Sequence, residues 1–157
     1  MSAIRLSPSV IARIREHAAA TYPDECCGAL VGSDSGDLID VVDVKQLLNV
    51  TDEGPRRRFR VSAEDYRLSE GYARQARVDL LGFYHSHPDH PAKPSQYDLD
   101  HAWPNFSYVI VSVDGGRPAD LRSWRLAADR SRFDRRLGQP IRNRPDRHGS
   151  VPVPEAT

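Results

Sequence analysis

His85 and His87 stand two residues apart in the stretch Gly82-Phe-Tyr-His85-Ser-His87-Pro88, and Asp98 follows eleven residues after His87. In an extended chain, residues i and i+2 point to the same side, so the two imidazoles can converge. Pro88, Pro91 and Pro94 lie between His87 and Asp98, and this proline-rich turn can bring the chain back toward the pair. Two histidines and one carboxylate, with a fourth position left to water, form the pattern of a catalytic zinc site. On its own, a His-x-His pair is often no more than two strand-end histidines. Ser95-Gln-Tyr-Asp98 also reads as a capping box, in which Asp98 reaches back to the start of a helix. The two readings of Asp98 compete, unless Ser95 caps while Asp98 faces the metal.

Such a site needs a base for its water. Glu25, in Tyr22-Pro-Asp-Glu25-Cys-Cys-Gly28, is the best candidate, and Asp24 or Asp89 meets the same requirement. His90 reads as exposed or as an outer partner of the site. Cys26 and Cys27 read as small side chains packed at a strand start. Trp103 and Trp124 read as core or rim. Arg56-Arg57-Arg58 reads as a solvated run, or as a guide for a partner with an acidic surface.

The elements that must position these residues follow from local signals. Ser7 and Pro8 open a helix whose apolar positions are Val10, Ile11, Ile14 and Ala18, and Tyr22-Pro23 closes it. Cys27–Val31 and Leu38–Val44 form a hairpin across the turn Ser33–Gly36. A polar loop over 49–58 leads to a short extended stretch through Phe59 and Val61. Ser62 with Asp65 predicts a helix over 63–77. Val78–Tyr84 reads as a buried strand and His85–Ser95 as a loop. Ser95 starts a short helix that Trp103-Pro104 ends. Tyr108–Val113 and Leu121–Leu126 form a second hairpin across Asp114-Gly-Gly116.

The chain has 157 residues, with 22 basic and 22 acidic side chains. That length fits one domain. The neutral balance weighs against an electrostatic grip on nucleic acid or on an anionic membrane. No apolar run reaches the roughly 18 residues of a membrane span. Two adjacent cysteines exclude a disulfide-rich scaffold and an all-cysteine zinc site. The first 23 residues lack the apolar core of a signal peptide, so the expectation is a cytoplasmic protein. Residues 135–157 are rich in Arg and Pro and poor in large apolar side chains, which predicts a flexible tail after a domain over 1–134. The fold class is α/β, with a single mixed sheet flanked by helices.

Glu25, then His85-Ser-His87, seven residues, then Ser95-x-x-Asp98 resembles the signature of the JAMM (MPN-plus) metalloproteases. Tyr22-Pro-x-Glu-Cys-Cys-Gly28 and Gly82-Phe-Tyr-His-Ser-His-Pro88 are similar to the short bacterial branch of that family, over about residues 5–130. The resemblance implies the cytidine-deaminase-like JAMM/MPN architecture and one Zn2+ per chain, held by His85, His87 and Asp98 with one water. It implies Glu25 as the proton carrier and Ser95 as the group that positions the water or stabilises the oxyanion. It also implies cleavage after the C-terminal Gly-Gly of a ubiquitin-like or sulfur-carrier protein, releasing an amino acid such as cysteine or a conjugated amine. The alternatives are a deconjugating isopeptidase for a bacterial ubiquitin-like modifier and a non-catalytic zinc-containing interaction module. A nucleobase deaminase would need H-x-E and P-C-x-x-C, which the sequence lacks. A DNA-associated relative would need a basic face interleaved with aromatics.

Overall fold

The structure, a computed structural model, describes residues 3–48 and 61–136. Ten elements follow in the order β1 (Ala3–Leu6), α1 (Pro8–Thr21), β2 (Cys27–Asp34), β3 (Leu38–Leu47), α2 (Ala63–Gln75), β4 (Asp79–Pro88), α3 (Gln96–His101), β5 (Ser107–Asp114), β6 (Arg117–Leu126) and β7 (Phe133–Arg136). The strands make one mixed sheet in the order β1-β3-β2-β4-β5-β6-β7. The pairs β1/β3 and β4/β5 are parallel and the other neighbours antiparallel. The expected mixed sheet flanked by helices is therefore present. Among the described residues, no helix is long and apolar enough to cross a membrane.

Helix α1 begins where the sequence places it, with the Ser7 hydroxyl accepting from the Val10 N–H at 3.2 Å. Its buried stripe is Val10, Ile14 and Ala18, which packs on Ile4, Leu30, Ile39, Val41, Tyr84, Val109 and Val111. Each fully buried large aliphatic side chain there contributes about 1.5–3 kcal/mol. The other face carries Ala29, Phe83, Tyr108 and Leu126, covered by Tyr66 of α2 and Leu99 of α3. That second face is where His85 and His87 emerge.

A bulge decides this placement. Leu80 packs on the α2/α3 face and Leu81 on the α1 face, as alternation requires. Without a bulge, Phe83 would share the α1 face with Leu81. The pairing of β2 with β4 shifts between Leu30↔Gly82 and Val31↔Leu80, so one residue of β4 is extra. Phe83, His85 and His87 consequently point toward α2 and α3, while Tyr84 and Ser86 point toward α1. Gly82 takes φ +150°, and a Cβ there would stand 1.8 Å from the Ser107 carbonyl oxygen. Gly82→Ala is therefore expected to destabilise the fold by about 2–4 kcal/mol, read from the midpoint of denaturant unfolding.

Strand β1 pairs only with Leu38–Val41, which leaves the rest of β3 at the sheet edge. Asp43 ties both helical layers to that edge. Its carboxylate accepts from Arg13 of α1 and, at 2.6 Å, from the Tyr72 hydroxyl of α2.

The sequence did not predict β1 or β7. The loop expected from His85 begins instead at Asp89, because β5 pairs alongside β4 as far as Pro88↔Val113. Strand β7 pairs with β6 from Phe133 to Arg136, across the expected boundary at 134/135. The loop over 49–58 and Phe59, the Arg56–Arg58 run and the tail beyond Arg136 lie outside the described residues, whereas Val61 packs against the second core.

Candidate metal centre

The end of β4 presents two imidazoles on one face, and α3 presents a carboxylate to them. His85, His87 and Asp98 are 1%, 7% and 8% exposed. The His85 and His87 Nε2 atoms lie 3.1 Å apart. Asp98 Oδ2 lies 3.3 Å from the first and 3.2 Å from the second. These three atoms form a nearly equilateral triangle. Donors about 2.0–2.1 Å from a tetrahedral ion stand roughly 3.3–3.4 Å apart, so the triangle fits three of the four donors of a tetrahedral Zn2+.

The proton inventory agrees with the spacing. His87 Nδ1 lies 2.8 Å from the Pro91 carbonyl oxygen. A carbonyl only accepts, so that nitrogen carries the hydrogen, and Nε2 is the ring nitrogen turned toward the other two donors. Burial pulls the His85 pKa below its ordinary value, against the opposing pull of Asp98. Burial pushes the Asp98 carboxyl upward, but the charges and hydrogen bonds of His85 and His87 outweigh it and hold it below the ordinary carboxylate range. Neutral imidazole and ionised carboxylate are the protonation states in which these groups ligate metal.

Asp98 makes the expected capping box and also lies against the two imidazoles. Ser95 caps α3, its Oγ accepting from the Asp98 N–H at 3.1 Å. The Ser95 N–H donates in return to Asp98 Oδ2 at 2.8 Å, the same oxygen that faces the imidazoles. A carboxylate oxygen has lone pairs enough for both. The capping box fixes the rotamer that presents Asp98 to the site.

Glu25 is buried, at 5% exposure, on the chain entering β2. Cys27 pairs with His85. The Ser86 N–H donates to the Cys26 carbonyl and the Cys26 N–H to Ser86 Oγ. These bonds hold the chain just after Glu25 alongside the histidine-bearing end of β4. Ser95 is exposed at the α3 cap. Asp89 is committed elsewhere, since its two oxygens accept from the Tyr22 hydroxyl and the Gly115 N–H. Asp24 is half-buried and His90 is exposed. Cys26 and Cys27 are buried free thiols. Burial pushes Cys26 up to about 11 and Cys27 higher, so both stay protonated and packed. Trp103 sits on the rim, stacked on Tyr66 with ring centroids 4.3 Å apart. Sequence reasoning missed the Pro91 carbonyl behind His87 and the Ser86 hydroxyl that holds the entry to β2. Main-chain partners carry no sequence signal, and Ser86 is marked only by alternating with two histidines.

Comparison with known proteins gives a consistent result. The family model described as prokaryotic homologs of the JAB domain, Prok-JAB, matches residues 7–127. A desampylase from Haloferax volcanii is 36% identical over 108 residues, which is 68% of this chain and 76% of that protein. A solution structure of a Salinibacter ruber protein is 41% identical, covers 90% of this chain and 94% of its own, and superposes with a TM-score of 0.69. The crystal structure of a JAB1/MPN domain protein from Archaeoglobus fulgidus covers 88% of this chain and 100% of its own. At 19% identity and a TM-score of 0.54, it shares the fold.

Proposed function

Because this chain belongs to the Prok-JAB family, we propose that it is a cytoplasmic zinc metallopeptidase of the JAMM type. Its substrate is the peptide or isopeptide bond after the C-terminal Gly-Gly of a ubiquitin-like or sulfur-carrier protein. The observation that carries this reading is the buried triangle of His85 Nε2, His87 Nε2 and Asp98 Oδ2, with edges of 3.1–3.3 Å. Likeness to a desampylase supports a ubiquitin-like protein as the partner.

His85, His87 and Asp98 would hold the ion. Zinc so held would supply a water with a pKa near about 7 and polarise the scissile carbonyl. Glu25, a buried carboxylate on the chain leading into the neighbouring strand, takes the proton of the attacking water and delivers one to the leaving amine. The Ser95 hydroxyl accepts from the Asp98 N–H and keeps its own hydrogen to donate to the developing oxyanion. A Gly-Gly tail suits such a site because it has no side chains. It can lie extended in a narrow groove, with main-chain hydrogen bonds setting its register.

The test offers two substrates to the purified protein: a sulfur-carrier protein with one residue added after Gly-Gly, and a ubiquitin-like protein linked through Gly-Gly to a lysine. Intact-mass spectrometry reads the products with chelator and after zinc is restored. The expected result is cleavage of at least one substrate, lost with chelator and regained with zinc. Which substrate reacts faster assigns amino-acid release or deconjugation. Cleavage indifferent to chelator would overturn the metal mechanism. One bound zinc per chain with no cleavage of either substrate would favour a non-catalytic module.

A further inference from the structure

The segment that joins the two halves of the metal centre is held from outside it. Pro88 to Ser95 link His87 to Asp98, and Pro88, Pro91 and Pro94 have no N–H to donate. The near end is clamped at Asp89. Its N–H donates to the Val113 carbonyl at 2.7 Å, and its carboxylate accepts from Gly115 and Tyr22. The far end is fixed by the Ser95–Asp98 capping box. Between them, the indole Nε1–H of Trp124 donates to the Ala92 carbonyl at 3.1 Å. Trp124 pairs with Tyr108 across β6 and β5, and so stands on the same face of the sheet as the site. Ala92 is 1% exposed. Its neighbour Pro91 supplies the carbonyl that takes the His87 Nδ1–H.

We propose that Trp124 is a positioning residue of the metal centre. It holds the 88–95 strap at Ala92, so that the Pro91 carbonyl fixes the tautomer and ring orientation of His87. The inference rests on the metal-binding reading of His85, His87 and Asp98. The outer partner of His87 is main chain and cannot be removed by substitution, which makes Trp124 the side chain through which it can be disturbed. Loss of an outer partner of a ligating histidine costs about 10–100-fold in metal affinity.

Trp124→Phe keeps an aromatic ring in place and deletes the donor. The experiment measures the zinc dissociation constant of the full chain by chelator competition, the visible spectrum of the cobalt(II)-substituted protein, and the thermal unfolding of the metal-free protein. Trp103→Phe, on the rim against Tyr66, is the control. Trp124→Phe should bind zinc about 10–100-fold more weakly, with altered cobalt bands. Its metal-free unfolding should stay cooperative, and Trp103→Phe should match the wild type in zinc affinity and spectrum. Zinc affinity of Trp124→Phe within about twofold of wild type, with an unchanged spectrum, would overturn the proposal. Weak binding accompanied by loss of the cooperative transition would assign Trp124 to packing and overturn it equally. A wild-type protein that binds no zinc would sink the metal reading itself.

Discussion

Asp98→Asn is expected to abolish turnover and to weaken zinc binding by more than the roughly 10–100-fold that outer-partner changes cost. The substitution is chosen because Asp98 does two jobs with one oxygen. Oδ2 accepts from the Ser95 N–H at the start of α3 and faces both imidazoles. An asparagine amide oxygen can still take the Ser95 N–H, so the short helix stays capped. What is lost is the negative charge that complements a divalent cation between two neutral imidazoles. The metal-free protein should therefore keep its cooperative unfolding transition while metal and activity disappear together. Asp98→Ala removes both jobs and cannot separate them. Metal analysis of the purified variant, alongside turnover and unfolding curves, reads all three properties. Full zinc occupancy in Asp98→Asn would mean that the third donor is another group.

The centre was legible in the sequence because its chemistry is carried by side chains within a short stretch. His85, His87 and Asp98 lie within fourteen consecutive residues, and Ser95 marks its own helix start. The main helices were legible for the same local reason, since Ser7-Pro8 and Ser62 with Asp65 act within one turn. What escaped notice depends on partners distant in the chain. Strand β1 has four residues, and parallel pairing with Leu38–Val41 holds it. Strand β7 has four, two of them arginines, and it exists as a strand because β6 offers it an edge. The strand through His85-Ser86-His87 reads as a loop because Pro88, Pro91 and Pro94 crowd the stretch that it opens. Its neighbour β5 is apolar from Tyr108 to Val111 and pairs with it from Gly82↔Ser107 to Pro88↔Val113. The bulge at Gly82 was equally hidden. A lone glycine in a strand signals a bend, but only the split of Leu81 and Phe83, two residues apart, between two cores shows that it re-phases the strand. The face on which the ligands stand is thus set by one residue of backbone geometry rather than by the motif.

Glu25→Gln should leave the metal in place and lower kcat by about 10²–10⁴, the usual worth of general acid–base help. That range corresponds to about 2.7–5.4 kcal/mol of transition-state stabilisation. Glu25 is the group for this test because the sheet gives it a fixed place. Ser86 and Cys26 exchange hydrogen bonds that lock the entry to β2 against β4, one residue after Glu25. Glutamine preserves the shape and one acceptor but can neither take a proton from water nor pass one to an amine. Substrate binding does not need that proton, so KM should change far less than kcat, and the loss should appear equally in single-turnover rates. Metal content measured on the same preparation makes the result decisive. A Glu25→Gln protein that loses its zinc would show that Glu25 is a ligand, and the base would have to be sought elsewhere, with half-buried Asp24 beside it the first to examine. A variant that keeps both its metal and its turnover would remove Glu25 from the chemistry.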